Sequence, residues 1–429
     1  MRNTQPDDQQ PPKPQIPASE RERPTHLRPV DAEPQPPPQP RLKNKRADKP
    51  VTASKDTAGF FEEPKEHSIV KTTIVTKYYP AWANIMKSRL RSDKMAYFDL
   101  FSGPGRYDDG TASTPVKILE ATIANEVLRD QVITYFFDEN PGCVEALQAN
   151  FDDLPGVETL KFKPHVEVAK AEENPLREVF ATASIVPSYI FLDPFGYVGV
   201  TSKLIGDILR NWGCDVLFFL CYPRIVSGLV NNLVRPRMDA LFGHDRVDQL
   251  RVHLRGLKPH EKEPVILSAL EESINSIGTG NKRRYVQTFR FCKETGTVTH
   301  HLVFVTKNPT AHLIMKGIMA KQSTGPIDGV ANFEYRTNAP QILIASTAPI
   351  DTLMDNLLVM FRGRTLSIEE IVAEHHYGTP YIPKNYQEAL KRLCYDRGAV
   401  TAVRGKMRPP LKPHKRDMPL EETYITFPG

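Results

Sequence analysis

The sequence predicts an α/β chain: a mostly parallel, Rossmann-like sheet covered by helices, interrupted by a helical insertion and followed by a smaller winged-helix-like module. Three observations carry this. Short apolar runs at 97–101, 132–137, 188–192 and 216–220 alternate with helical segments, the rhythm of strands joined by crossover helices. The first three runs end in turn or acidic residues, Gly103-Pro104-Gly105, Asp138-Glu139 and Asp193-Pro194. From about 350 the pattern changes to three helices and two strand-like pieces.

The stretch 97–106 reads YFDLFSGPGR. Tyr97, Phe98, Asp99, Leu100 and Phe101 form an aromatic and apolar run that stops at the Gly-Pro-Gly turn, as a buried strand does. Thr114 can cap the helix that follows, Pro115 suits its first position, and Val116, Ile118, Leu119, Ile123 and Val127 share one face. Glycine at 103 and 105 has no β-carbon to keep a ligand from the backbone amides. Asp99 places a carboxylate where it can accept hydrogen bonds from a ligand's amino or hydroxyl groups. An ordinary strand-to-loop turn has the same local pattern.

The second unit repeats the first. A strand over 132–137 ends at Asp138, Asn140 can cap the next helix, and Pro141 opens it. An acid in this place can hold ribose hydroxyls at the carboxyl ends of parallel strands, or simply complement a helix N-terminus. A weak strand is expected within 159–168, where His165 and Glu167 read as structural residues. The run 188–192 ends in Asp193-Pro194-Phe195-Gly196. A carboxylate there can accept from a target amine while an aromatic ring stacks on a base; a simple strand terminus is the alternative.

Composition sets the outer bounds. At 429 residues, two or three domains are expected. A net charge of +5 does not by itself identify a nucleic-acid binder. Five scattered cysteines without a Cys-x-x-Cys pair argue against a zinc ribbon, a redox dithiol or a disulfide framework. No apolar leader follows Met1, and the strongest apolar run, 216–221, is too short to cross a bilayer; a soluble, cytoplasmic protein is expected. Residues 1–60 carry thirteen prolines before position 51 and few aromatics, the composition of a disordered tail.

A helix is expected over 66–90, with Ile69, Ile74, Tyr78, Trp82, Ile85 and Met86 on its apolar face. Helices are expected through 222–290, one of them opening at Pro264 and closing at Gly278. The run 302–305 reads as the last strand of the sheet, followed by a helix over 311–319. In the C-terminal part, helices are expected at 351–361, after the capping box Ser367-Ile368-Glu369-Glu370, and after Asn385. Strand pieces at 399–403 and 423–427 bracket a loop with six lysines and arginines, among them Arg404, Lys406, Arg408 and Lys412. In a winged helix such a loop can contact phosphates; a protein-docking module with a solvated loop fits the same pattern.

The Asp-x-x-x-Gly-x-Gly spacing at Asp99 resembles motif I of class I S-adenosylmethionine-dependent methyltransferases. Asp193-Pro194-Phe195 resembles the Asp/Asn-Pro-Pro-aromatic motif of methyltransferases that act on amino groups of bases, with one proline fewer and the aromatic one residue early. Together YFDLFSGPGRYDDG, STPVKILE, FLDPFG, MDALFG, HLVFVTKNP and NYQEALKRL resemble the three-Cys-motif partner (TcmP) family over about 66–427. That resemblance implies a class I methyltransferase-like domain (61–345) with its helical insertion and a winged-helix-like domain (346–429). It also implies S-adenosylmethionine as cofactor, held by Asp99, Phe101, Gly103, Gly105 and Asp138. The acceptor would be positioned by Asp193, Pro194 and Phe195, and a three-Cys-motif protein encoded nearby would be the partner, with DNA or RNA a further one and no membrane. The expected activity is methyl transfer to an amino group of a nucleic-acid base, without a metal. The alternative is a non-catalytic adaptor that binds the three-Cys partner and nucleic acid. A dinucleotide oxidoreductase fits less well, because Gly-Pro-Gly lacks the third glycine of that fingerprint.

Overall fold

The computed structural model describes residues 66–89, 93–170, 176–182, 185–194, 199–277, 283–337, 349–405 and 422–429, all within the compact unit Ser54–Gly429. The proline-rich stretch lies outside them. The chain runs through α1 (Glu66–Lys87), β1 (Met95–Asp99), α2 (Thr114–Ala124), α3 (Glu126–Gln131), β2 (Val132–Asp138), α4 (Pro141–Asp152) and β3 (His165–Val168). It continues with α5 (Leu176–Thr182), β4 (Ser188–Leu192), α6 (Ser202–Arg210) and β5 (Asp215–Cys221). Helices α7 (Tyr222–Val230), α8 (Arg235–Phe242), α9 (His244–His253) and α10 (Pro259–Ser276) precede β6 (Tyr285–Cys292), β7 (Val298–Thr306), α11 (Pro309–Gln322) and β8 (Glu334–Arg336).

These eight strands form one sheet in the order β3-β2-β1-β4-β5-β7-β6-β8. The first five in that order pair in parallel. By contrast, β7 lies antiparallel to both β5 and β6, and β8 joins β6 in parallel. Strand order reverses between β1 and β4, so a topological switch point opens at their carboxyl ends. Of these eight strands β7 alone is reversed, inserted between β5 and β6, and this order makes the Rossmann-like sheet of class I methyltransferases.

Both faces of the sheet are covered, because successive side chains alternate between two cores. Met95 and Tyr97 of β1 join the core under α1, α2, α3, α4 and α11, which holds Tyr78, Tyr79, Trp82, Leu119 and Met315. Ala96, Phe98 and Leu100 join the opposite core with Leu204, Ile208, Leu241, Ile266 and Leu270 from the later helices. Burying a side chain the size of Trp82 fully is worth about 2 to 3 kcal/mol, so α1 is anchored by its aromatic stripe.

The C-terminal module contains α12 (Pro349–Met360), β9 (Thr365–Ser367), α13 (Ile368–His375), α14 (Pro383–Lys391), β10 (Thr401–Arg404) and β11 (Thr423–Thr426). Its three strands pair antiparallel in the order β10-β11-β9 over a core that includes Leu353, Leu357, Ile371, Tyr386 and Leu390. Three helices and a small hairpin sheet form a winged helix. Among the described residues no helix is long and apolar enough to cross a membrane.

Several local expectations shift. Ser113, not Thr114, stands at the N-cap of α2, with Pro115 in the first turn. Helix α10 begins at Pro259, five residues before Pro264, since Glu261 returns to the Lys258 backbone N–H at 2.6 Å and fixes the start there. The helical stretch gives way at Tyr285 to β6, and the last strand of the sheet is β8 rather than β7. Asn385 sits three residues inside the start of α14, where its side chain accepts from Ile382 N–H at 2.9 Å. The Ser367–Glu370 capping box forms as the spacing predicts.

Candidate functional site

The carboxyl ends of β1, β2 and β4 bring Asp99, Asp138 and Asp193 to one rim. Asp99 ends β1 and is only 1% exposed. Its Oδ1 accepts from the Phe101 N–H at 3.1 Å, while Oδ2 has no hydrogen-bond partner among the described residues. Burial pushes the carboxyl up to about 8; the Phe101 N–H draws it down, Asp193 and Asp138 push it up, and Lys71 draws it down. A buried acceptor without a donor costs roughly 1 to 3 kcal/mol. Phe101 itself is half-buried and packs on the core beneath α6 and α10.

The glycine turn follows directly. Gly103 and Gly105 have φ of 65° and 88°, left-handed conformations that glycine adopts without strain. Asp138 ties the turn to the end of β2: its Oδ2 accepts from Gly103 N–H at 2.8 Å and its Oδ1 from Asn140 N–H at 2.9 Å. Neither ribose binding nor a helix dipole anticipated that bridge. Each carboxylate oxygen keeps a second lone pair for a ligand. A β-carbon at Gly105 would lie 2.7 Å from Leu147 Cδ1 and 3.1 Å from Val116 Cγ2. The left-handed backbone at 105, with Leu147 and Val116 pressed against it, therefore favours glycine whatever a ligand adds. Asn150 Nδ2 donates to Pro104 O at 2.8 Å, and Ser113 N–H and Oγ–H donate to Gly105 O at 2.8 and 2.9 Å, so the turn is held from both sides.

Asp193 follows β4 and meets a residue that the sequence did not single out. Lys71, on the buried face of α1 and 7% exposed, forms an ion pair with Asp193 and places its ammonium 4.9 Å from the centroid of the Phe219 ring. A lysine at helical spacing among Ile74, Val75 and Tyr78 was the available signal. The ring of Phe219 stacks on His300 at 4.5 Å, and His300 stacks on His67 at 5.8 Å. Pro194 is buried behind the acid; Phe195 lies outside the described residues.

This rim fits a ligand with cationic and hydroxyl groups. Asp99 offers an unused buried oxygen to an ammonium, and Asp138 retains acceptor capacity for hydroxyls, which suits S-adenosylmethionine with its ammonium, sulfonium and ribose. Among the described residues no group of three or more His, Cys, Asp or Glu is arranged to hold a metal ion.

Arg404, on β10, pairs with Glu422 at 2.6 Å, and Lys406, Arg408 and Lys412 lie outside the described residues. Near α14, Arg392 pairs with Glu388 at 2.9 Å and Asp328 at 3.3 Å. Arg397 pairs with Asp351 at 2.9 Å and Asp355 at 3.3 Å.

Residues 332–399 match the family model of the GMT-like wHTH domain, a span that includes β8 and the three helices α12, α13 and α14. A search of curated proteins finds no match. Among solved structures, the DszA carbon methyltransferase aligns at 14% identity and a TM-score of 0.35, over 59% of this chain and 57% of its own. Protein LPL1258 of Legionella pneumophila, of family-model DUF519, aligns at 11% and 0.33 over 58% and 90%. A TehB-like SAM-dependent methyltransferase from Corynebacterium glutamicum aligns at 9% and 0.25 over 53% and 87%. With scores this low, the methyltransferase-like fold rests on the strand order and the reversed β7.

Proposed function

We propose that this chain is an S-adenosylmethionine-dependent methyltransferase whose cofactor lies at the switch point between β1 and β4. The observation that carries this reading is the buried Asp99 Oδ2, left without a donor among the described residues beside the glycine turn. In it, Asp99, Gly103 and Gly105 hold the amino-acid end of the cofactor, Phe101 supports Asp99 through its N–H, and Asp138 takes the ribose hydroxyls. The cofactor supplies an electrophilic methyl group. Asp193, with Pro194 and Phe195, positions the acceptor; alignment does most of the work in an in-line displacement, so no dedicated base is required. An amino group of a nucleic-acid base is the proposed acceptor. The engagement of Asp193 by an ammonium supports a carboxylate that takes N–H donors, and the neighbouring stacked rings suit a flat molecule. We further infer a three-Cys-motif partner protein, as the family resemblance implies.

The adaptor reading is favoured by one observation: Lys71 already holds Asp193, which leaves that carboxylate engaged without an acceptor. Titration of S-adenosylmethionine into the purified protein, followed by transfer of labelled methyl to DNA, RNA or protein in the presence of the partner, decides between them. Binding near micromolar, about −8 kcal/mol, with label in a nucleic acid supports the enzyme. Binding without transfer to any of the three favours the adaptor, and absence of binding removes the cofactor site.

A further inference from the structure

The rim holds three carboxylates and one buried ammonium. Lys71 is carried by α1 and pairs with Asp193 just after β4; β4 lies beside β1 with Phe191 opposite Asp99, so the ion pair stands at the neighbouring strand end and acts on Asp99. Packing alone does not call for it. Burying an ammonium costs several kcal/mol before pairing, and an apolar side chain on this face of α1 would fit the surrounding core at lower cost. Its effect on Asp99 is opposed by Asp193 and Asp138. The other titratable groups facing Asp99 are the phenols of Tyr97 on β1 and Tyr189 on β4, which burial keeps neutral. Among the described residues, Lys71 is thus the cation that acts on Asp99.

We propose that Lys71 is a positioning residue of the cofactor site: by neutralising Asp193 it lowers the cost of the negative charge that the neighbouring Asp99 takes on when the cofactor's ammonium binds. The inference rests on the methyltransferase reading and deepens it. Lys71 cancels one of the negative charges that act on Asp99; without it the charge of Asp193 is uncompensated, and Asp99, the most buried of the three acids, holds its proton to higher pH. A protonated Asp99 has a hydrogen to place and no charge to offer, so cofactor binding at neutral pH must release a proton from it.

The test is calorimetric titration of S-adenosylmethionine from pH 6 to 9.5, in two buffers of different ionisation enthalpy so that proton release is read directly. It is paired with 13C-carboxyl NMR of Asp99 in the unliganded protein. For the wild type, affinity rises with pH through about 8. Lys71→Met weakens binding at pH 7 by about tenfold and moves the midpoint, in calorimetry and in the carboxyl signal, up by about one pH unit; the gap closes by pH 9.5. Lys71→Arg keeps the wild-type profile, and Asp193→Asn moves the midpoint down. If Lys71→Met folds and keeps the wild-type midpoint in both measurements, Lys71 is a packing residue and the proposal is overturned. If no variant binds the cofactor while the carboxyl signal still moves with Lys71, the methyltransferase reading fails and the link between Lys71 and Asp99 stands.

Discussion

Asp215 and Asp99 are both almost wholly buried acids of the same sheet, at opposite rims. Asp215 opens β5 at the amino-end rim and accepts from the Tyr78 hydroxyl at 2.6 Å. Burial pushes it up, only to about 6, because Thr306, Tyr78 and Lys307 draw it back. Asp99 closes β1 at the carboxyl-end rim, keeps one oxygen without a partner among the described residues, and stands beside two like charges. Its carboxyl is pushed up to about 8. At the amino end the fold has supplied donors. At the carboxyl end it has supplied one, the Phe101 N–H to Oδ1, and left Oδ2 to bear the desolvation cost without a partner among the described residues. Such a group persists when something other than stability keeps it.

Substitutions sharpen that contrast. Asp99→Asn removes the charge, so S-adenosylmethionine binding falls about a thousandfold, on the order of 4 kcal/mol, while the unliganded protein is at least as stable at pH 8 as the wild type; loss of both by equal amounts would break the contrast. Asp215→Ala strands the Tyr78 hydroxyl and destabilises by about 3 kcal/mol in denaturant melts, with cofactor affinity within about threefold of wild type. Gly105→Ala forces a side chain into a left-handed position 2.7 Å from Leu147 Cδ1 and costs about 2 kcal/mol. A Gly105→Ala protein as stable as wild type would show that the turn can shift.

Proton linkage gives a smaller signature of the same sign at both rims. The carboxyls of Asp99 and Asp215 are raised above their ordinary value, so their contributions are fully present below about pH 4 and are lost as pH rises, by about pH 6 for Asp215 and about pH 8 for Asp99. Stability of the free protein between pH 6 and 8 therefore falls by at most about 1.4 kcal/mol per pH unit through Asp99, and Asp99→Asn flattens that interval. The smallest effect belongs to the winged helix: Arg397→Ala breaks an exposed pair with Asp351 and Asp355 and changes stability by less than about 1 kcal/mol.

Local chemistry was legible wherever the residues that determine it are neighbours in sequence. The runs that became β1, β2, β4 and β5, the acids at the ends of the first three, and the Ser367 capping box could be read directly. Strand β6 could not, because Tyr285–Cys292 follows four helices and is defined by pairing with β7. Strand β8 has three residues, and its Glu334 is fixed by Arg290, 44 positions earlier. Lys71 was missed for the same reason: a lysine on a helix reads as solvated until Asp193, 122 positions away, is brought against it. The bridge from Asp138 to Gly103 likewise spans 35 positions.

The most direct test crosses the two rims in one experiment: titration of S-adenosylmethionine into Asp99→Asn and Asp215→Asn, each with a melting curve. Lost binding with retained stability for Asp99→Asn, and retained binding with lost stability for Asp215→Asn, is the predicted result. Retained binding in Asp99→Asn would contradict the assignment of the carboxyl-end rim as the cofactor site.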